Sequence, residues 1–156
     1  RRFVAAPPSS AEGFCRFIDR MRQHQMAGTA ICYAVTLRGH DTAVGLFQIR
    51  ETEPAFSTAE WGFAIGSSFW GTGVFGEAAE LVMTFAFEQL RVHRLEARAV
   101  VNNGRGNDAL QKLGAVQEGI LRRAFFQNGA YLDQALYAIV EDDWRAARRV
   151  PLRMVH

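Results

Sequence analysis

The apolar positions change period several times along the chain. From Ala11 to about Gln25, Phe14, Phe17, Ile18 and Met21 recur at helical spacing, so an amphipathic helix is predicted there. Pro7-Pro8-Ser9-Ser10 ahead of it breaks the backbone and offers a cap. Three β-rich runs follow: Ala30–Leu37 (AICYAVTL), Ala43–Arg50 (AVGLFQIR) and Ala59–Ile65 (AEWGFAI). In the third, Trp61, Phe63 and Ile65 alternate with Glu60, Gly62 and Ala64, the pattern of a strand with one apolar face. Arg38-Gly39-His40-Asp41 and Glu53-Pro54 break the connections, and turns this short imply antiparallel neighbours.

Helical spacing returns over about Gly76–Leu90, where Glu77, Glu80, Thr84 and Glu88 make one narrow polar stripe on an otherwise apolar or small surface. Such a helix lies deep against a sheet. Arg94–Val101 (RLEARAVV) alternates again. A strand, helix and strand of these lengths form a right-handed crossover, so the strands at 59–65 and 94–101 should run parallel. Asn102-Asn103-Gly104 is a turn, and a short helix over about Gly106–Leu113 ends at Gly114, a natural C′ glycine. Ala115–Ile139 reads as two strands joined near Gln127-Asn128-Gly129, since Asn-Gly is a strong hairpin signal. The fold class is therefore α+β, with one parallel crossover in a mainly antiparallel sheet. Its length makes the chain, 1–156, a single domain.

Composition changes this picture little. An apolar fraction of 49% and a charged fraction of 22% are those of an ordinary soluble globular protein. No apolar run approaches the roughly 20 residues of a membrane span, and a cytoplasmic location is expected. The chain opens on Arg1-Arg2 without a Met, so an N-terminal piece is expected to be missing. A net charge of +2 is too small to imply nucleic acid. Arg145, Arg148, Arg149 and Arg153 read as a solvated tail in preference to an RNA patch. Cys15 and Cys32 lack CxxC spacing and read as reduced thiols, Cys32 packed within a strand. His24, His40, His93 and His156 have no ligand spacing, and no metal is expected.

The chemistry concentrates in FWGTGVFGEAAELV, residues 69–82, which contains Gly71-x-Gly73-x-x-Gly76. Glycines opening a helix let backbone N–H groups approach an anion. A dinucleotide fold needs successive βαβ units and an acid about 20 residues on. Only one such unit exists here. Glu96, near that distance, sits early in its strand between Arg94 and Arg98, where an ion pair is the simpler account. A P-loop would need Lys-Ser/Thr where Glu77-Ala78 stands.

Glu60-Trp61-Gly62, Trp70-Gly71-Thr72-Gly73-Val74-Phe75-Gly76-Glu77-Ala78, Asn103, Lys112-Leu113-Gly114 and Gly129-Ala130-Tyr131-Leu132-Asp133 occur in that order. In this series the stretch from Glu60 to Trp144 resembles the GNAT superfamily of N-acetyltransferases, most closely its RimJ/RimL-type branch. The resemblance implies acetyl-CoA as co-substrate and a primary amine as acceptor, either a protein N-terminus or a small amine. It admits a homodimer and assigns no role to membrane or nucleic acid. The family's opening strand and first helix are not evident before Pro7.

The resemblance also implies a site. The backbone N–H groups from Gly71 through Thr72, Gly73, Val74 and Phe75 to Gly76 would cradle the CoA pyrophosphate, with Trp70 packed beneath the loop. Phe63, Ala64 and Ile65 would run along the pantetheine arm, and an N–H among them would polarise the thioester carbonyl. Asn103 and Asn107 would form the far wall, and Lys112 or Arg105 would neutralise the remaining phosphate. Glu60 is the candidate general base, against its alternative as an ordinary outward-facing carboxylate. Two departures stand out. Phe75 replaces a small residue, so either its side chain points away from the cofactor or the loop is reshaped. Gly106 and Leu110 occupy the slots of the usual Ser and Tyr acids, which favours a non-catalytic CoA-binding or partner-binding module as the competing reading. Tyr131 and Asp133 are expected to stabilise the hairpin.

Overall fold

A computed structural model describes residues 8–149. Pro7, Arg153 and His156 lie outside these residues. Ser10 caps the first helix, α1 (Ala11–Met26), its hydroxyl accepting a bond from the Gly13 N–H at 3.1 Å. The strands β1 (Ala30–Thr36), β2 (Ala43–Glu51) and β3 (Thr58–Ile65) follow as an antiparallel meander. Then come α2 (Val74–Glu88), β4 (Arg94–Val100), α3 (Gly104–Lys112), β5 (Val116–Gln127), β6 (Ala130–Val140) and α4 (Glu141–Arg149). They build one six-stranded sheet in the order β1-β2-β3-β4-β6-β5. β3 and β4 are its parallel pair, as the crossover predicts.

The core lies between the sheet and α2. Ala79, Val82, Met83, Ala86 and Phe87 of that helix are buried against Phe47, Ile49, Trp61, Leu95 and Ala97. α1 packs along β1, and Gln48 of β2 donates to the Met21 sulfur at 2.9 Å. The β5–β6 hairpin closes through Asn128 and Gly129, with φ of 52° and 78°, the two left-handed residues of a type I′ turn. Asp133 accepts the N–H of Arg123 at 2.8 Å where β5 bulges, and Tyr131 packs on Phe126 with ring centroids 4.8 Å apart. Both residues thus serve the hairpin.

Two features of α2 and α4 depart from the sequence reading. The C-terminal arginines within the described residues form a docked helix instead of a solvated tail. Trp144 of α4 is 5% exposed and stacks on Phe87 at 4.9 Å. One turn on, the Arg148 guanidinium lies 4.1 Å from the Trp144 ring centroid and reaches Glu80 and Thr84 of α2. Half of the polar stripe on α2 is therefore a seat for α4, while Leu81, expected inside, is 73% exposed. A period-3.6 pattern marks a buried face but cannot say which neighbour covers the flank.

Trp144→Ala should cost about 3–5 kcal/mol in chemical denaturation, because it empties a packed site between α4 and α2. Arg149→Ala, at the exposed helix end, should stay within about 0.5 kcal/mol of the parent.

Candidate active site

The parallel ladder between β3 and β4 is short. It pairs Thr58 with Arg94, Ala59 with Leu95 and Glu60 with Glu96, and beyond these the strands diverge. Backbone direction alternates along β3. The Thr58 carbonyl accepts from Thr52 and Glu53 on the β2 side, whereas that of Ser57 accepts from His93 and Arg94 on the β4 side. The period of two then turns the backbones of Glu60, Gly62 and Ala64 toward β2, and those of Trp61, Phe63 and Ile65 toward the gap. Of the three residues expected along a bound chain, Phe63 and Ile65 face the gap with their backbone; Ala64 pairs with Leu46.

The Gly-rich loop stands beside this gap. Gly71 and Gly73 have φ of +74° and +88°, the left-handed region that favours glycine. Nothing lies within 4 Å of a Cβ built on Gly71, Gly73 or Gly76. Gly73 is the N-cap of α2 and has no side chain to cap it, so the N–H groups of Val74, Phe75 and Gly76 have no intrahelical acceptor. Thr72 is turned back, its hydroxyl donating to the Phe69 carbonyl at 2.6 Å. Phe75 points into the core, with its ring 4.7 Å from Phe63 and 5.9 Å from Phe47. The loop is thus not plugged by its own aromatic residue.

Trp70 departs from expectation. It is 45% exposed on the rim, its indole N–H donating to the Ile65 carbonyl at 3.0 Å. The Arg105 guanidinium of α3 lies 3.8 Å from its ring centroid, so a cation–π contact joins the loop to α3. Lys112 lies two turns further along α3, at its exposed end.

The two asparagines are structurally committed. Asn103 caps α3, its Oδ1 accepting from the Gly106 N–H at 3.1 Å. A Cβ at Gly106 would sit 2.5 Å from Asn103 Nδ2, so the missing Ser is what lets the cap fold over the helix. Asn107 donates to the carbonyls of Asn103 (2.7 Å) and Val100 (3.0 Å), and accepts the Tyr137 hydroxyl at 2.8 Å. Tyr137, 1% exposed, is a partner the sequence reading missed; its alternation with Ala135 and Ile139 in β6 was the available signal. Leu110 is also 1% exposed, so the slot of the absent Tyr faces the core.

Glu60 sits where the gap opens, on the sheet face opposite Trp61. Its two oxygens lie 3.4 Å from Arg50 and 3.4 Å from Arg98. The expected pairing of Glu96 holds toward Arg94, at 2.8 Å, while Arg98 turns to Glu60. Hydrogen bonding first to Glu118 and then to Glu96 raises the Arg94 guanidinium above its ordinary range, and the hydrogen bond from Arg94 holds the Glu118 carboxyl below its own. Burial pushes the Cys32 thiol up, away from the reactive thiolate.

Residues 1–116 match a family model described as an acetyltransferase (GNAT) domain. The chain belongs to the GNAT acetyltransferase family. Acetyl transfer from acetyl-CoA to an amine is the chemistry this membership carries. Among its relatives is YdaF of Bacillus subtilis strain 168, a candidate ribosomal N-acetyltransferase, 26% identical over 147 residues that cover 94% of this chain and 79% of that protein. The ribosomal-protein-serine acetyltransferase of Escherichia coli K12 is 29% identical over 102 residues, 65% of this chain and 57% of the relative. The chain thus spans little more than half of that enzyme's length. The RimJ structure from Mycobacterium smegmatis, in complex with CoA-disulfide, shares the fold with a TM-score of 0.80 at 23% identity, covering 95% of this chain and 77% of that one. The resemblance to the RimJ/RimL branch holds.

In this GNAT domain, Asn107→Ala should destabilise by about 1–3 kcal/mol by removing the 2.8 Å acceptor of the buried Tyr137 hydroxyl, which keeps only a 3.4 Å contact to Gln117, and the side-chain donor that ties α3 to the end of β4. Combining it with Tyr137→Phe should add less than the sum of the two, read from a double-mutant cycle of denaturation midpoints. Gly106→Ser should displace the Asn103 cap at about 1 kcal/mol.

Proposed function

We propose that this chain, as one catalytic domain over 1–156, moves the acetyl group of acetyl-CoA directly to a primary amine in a ternary complex. The acceptor is a protein N-terminus or a small amine, and the relatives named for ribosomal-protein acetylation favour the protein. The observation that carries this reading is the gap opening beyond Glu60 and Glu96 beside the uncapped start of α2. Backbone donors of the glycine loop stand there with open space around Gly71, Gly73 and Gly76, and Trp70 with Arg105 stacked on it forms the rim.

The N–H groups of Gly71 and of Gly73 to Gly76 hold the pyrophosphate at the helix N-terminus, while that of Thr72 is turned to the Phe69 carbonyl. Arg105 is the nearer cation for a phosphate; Lys112 serves only a ligand that extends along α3. Trp70 forms the rim and fixes the Ile65 carbonyl. The N–H groups of Phe63 and Ile65 face the extended pantetheine arm, and one of them polarises the thioester carbonyl. Asn103 and Asn107 shape the far wall by holding α3 at the end of β4. In the transfer, the amine nitrogen bonds to the acetyl carbon, the carbon–sulfur bond breaks, and the amine proton passes to Glu60 through water. The thiolate leaves without a dedicated acid, as a thiol of ordinary pKa near ~8.5 allows.

A second reading has one observation in its favour. The ion pairs of Glu60 with Arg50 and Arg98 are those of a structural carboxylate, as expected of a module that binds CoA without chemistry.

Glu60→Gln separates the two. If Glu60 is the base, kcat for thiol release falls by about 10²-fold or more while the calorimetric Kd for CoA is unchanged. A kcat within a few-fold of the parent would remove Glu60 from the chemistry. Gly73→Val should abolish CoA binding in the same calorimeter, since a β-branched residue at φ +88° distorts the donor loop.

A further inference from the structure

At the point where β3 and β4 part, three adjacent strands present charged side chains on the sheet face away from α2. Arg50 of β2 stands directly opposite Glu60 of β3, and Arg98 of β4 approaches Glu60 from the other side. Two cations against one anion leave this cluster with a local positive excess. Beside it, Arg94 with Glu96 and Glu118 carries one net negative charge, so the six groups together are neutral and the positive excess is confined to the Arg50 and Arg98 side of the row.

The guanidiniums are also incompletely used. Each lies 3.4 Å from a carboxylate oxygen, yet Glu60 Oε2 is shielded from solvent and has no hydrogen-bond partner. The Arg50 and Arg98 side chains are 64% and 41% exposed, so each keeps donors facing solvent. Along β3 from this cluster, Gly62 and Ala64 are exposed, and a Cβ on Gly62 would meet nothing within 4 Å. That leaves a flat floor on which an extended ligand can lie beside the gap.

We infer that this face selects acceptors bearing a carboxylate close to the reacting amine, namely peptide N-termini with an acidic side chain at the second residue. The amine lies a water away from Glu60, and the neighbouring carboxylate takes the free donors of Arg50 and Arg98. A purely cationic acceptor instead brings positive charge against two guanidiniums. The inference rests on the proposed acetyl transfer and on the place of Glu60 in it.

The test compares two amidated tetrapeptides, Ser-Glu-Gly-Tyr and Ser-Lys-Gly-Tyr, as acceptors with acetyl-CoA and the intact chain, followed by thiol release. At low ionic strength the acidic peptide should have a kcat/KM roughly tenfold higher, the size expected of two solvent-exposed ion pairs. The ratio should shrink toward one as salt is raised, because exposed charges are screened. It should fall below about twofold in Arg50→Gln/Arg98→Gln. Each ratio is measured on one protein preparation, so partial unfolding cancels, and the salt series on the unaltered chain needs no variant. Equal rates, a preference for the lysine peptide, or a salt-independent ratio overturns the inference. Thiol release with small amines but with neither peptide overturns it too, while leaving acetyl transfer intact. No release with any amine refutes the transferase reading beneath it.

Discussion

β3 is held by two neighbours that pull it in different directions, and the site depends on that conflict. It pairs with β2 over seven residues, and β4 pairs with β6 over another seven, but β3 and β4 pair over only three. The sheet therefore behaves as two well-hydrogen-bonded halves hinged at Glu60 and Glu96. Sheet twist accumulates with each strand, and a short parallel ladder is the weakest place to resist it. Once the ladder ends, the backbone groups of Phe63 and Ile65 have no strand partner on that side and need another. Trp70 supplies one at Ile65.

The crossover helix turns this opening into a directed one. α2 must leave the end of β3 and return to β4, so its N-terminus lands at the mouth of the gap. Its apolar face against Phe47, Trp61 and Leu95 fixes its axis, and Phe75 joins that aromatic cluster instead of closing the loop. The large residue at this position therefore contributes to the core and leaves the donors clear. On the far side, α3 is tied to the end of β4 by Asn107 and to the loop by the stacking of Arg105 on Trp70. Both walls of the gap are positioned by contacts that involve no ligand.

The two faces of the sheet divide the labour. One is apolar and covered by α2, with α4 bolted to it through Trp144 and Arg148. On the other, a row of alternating charges runs from Arg50 through Glu60 and Arg98 to the separate cluster of Arg94, Glu96 and Glu118.

The sequence by itself determined the elements, because period and turn chemistry are local. The alternation of Trp61, Phe63 and Ile65, the Asn128-Gly129 turn, the C′ glycine at 114 and the crossover length each fix a conformation or a direction within a few residues. It also marked the Gly-rich loop, since glycine tolerates the positive φ that Gly71 and Gly73 adopt. Only the tertiary structure decided who meets whom. Arg98 chose Glu60 over Glu96, Trp70 rose to the rim, Asn107 found Tyr137, and the C-terminal arginines became a helix seated on Glu80 and Thr84. Apart from Trp70 and the Ile65 carbonyl, five positions away, these partners are set by strand register and helix docking between residues 30 to 68 positions apart. Side-chain chemistry gives a guanidinium many acceptable carboxylates, and only packing selects among them.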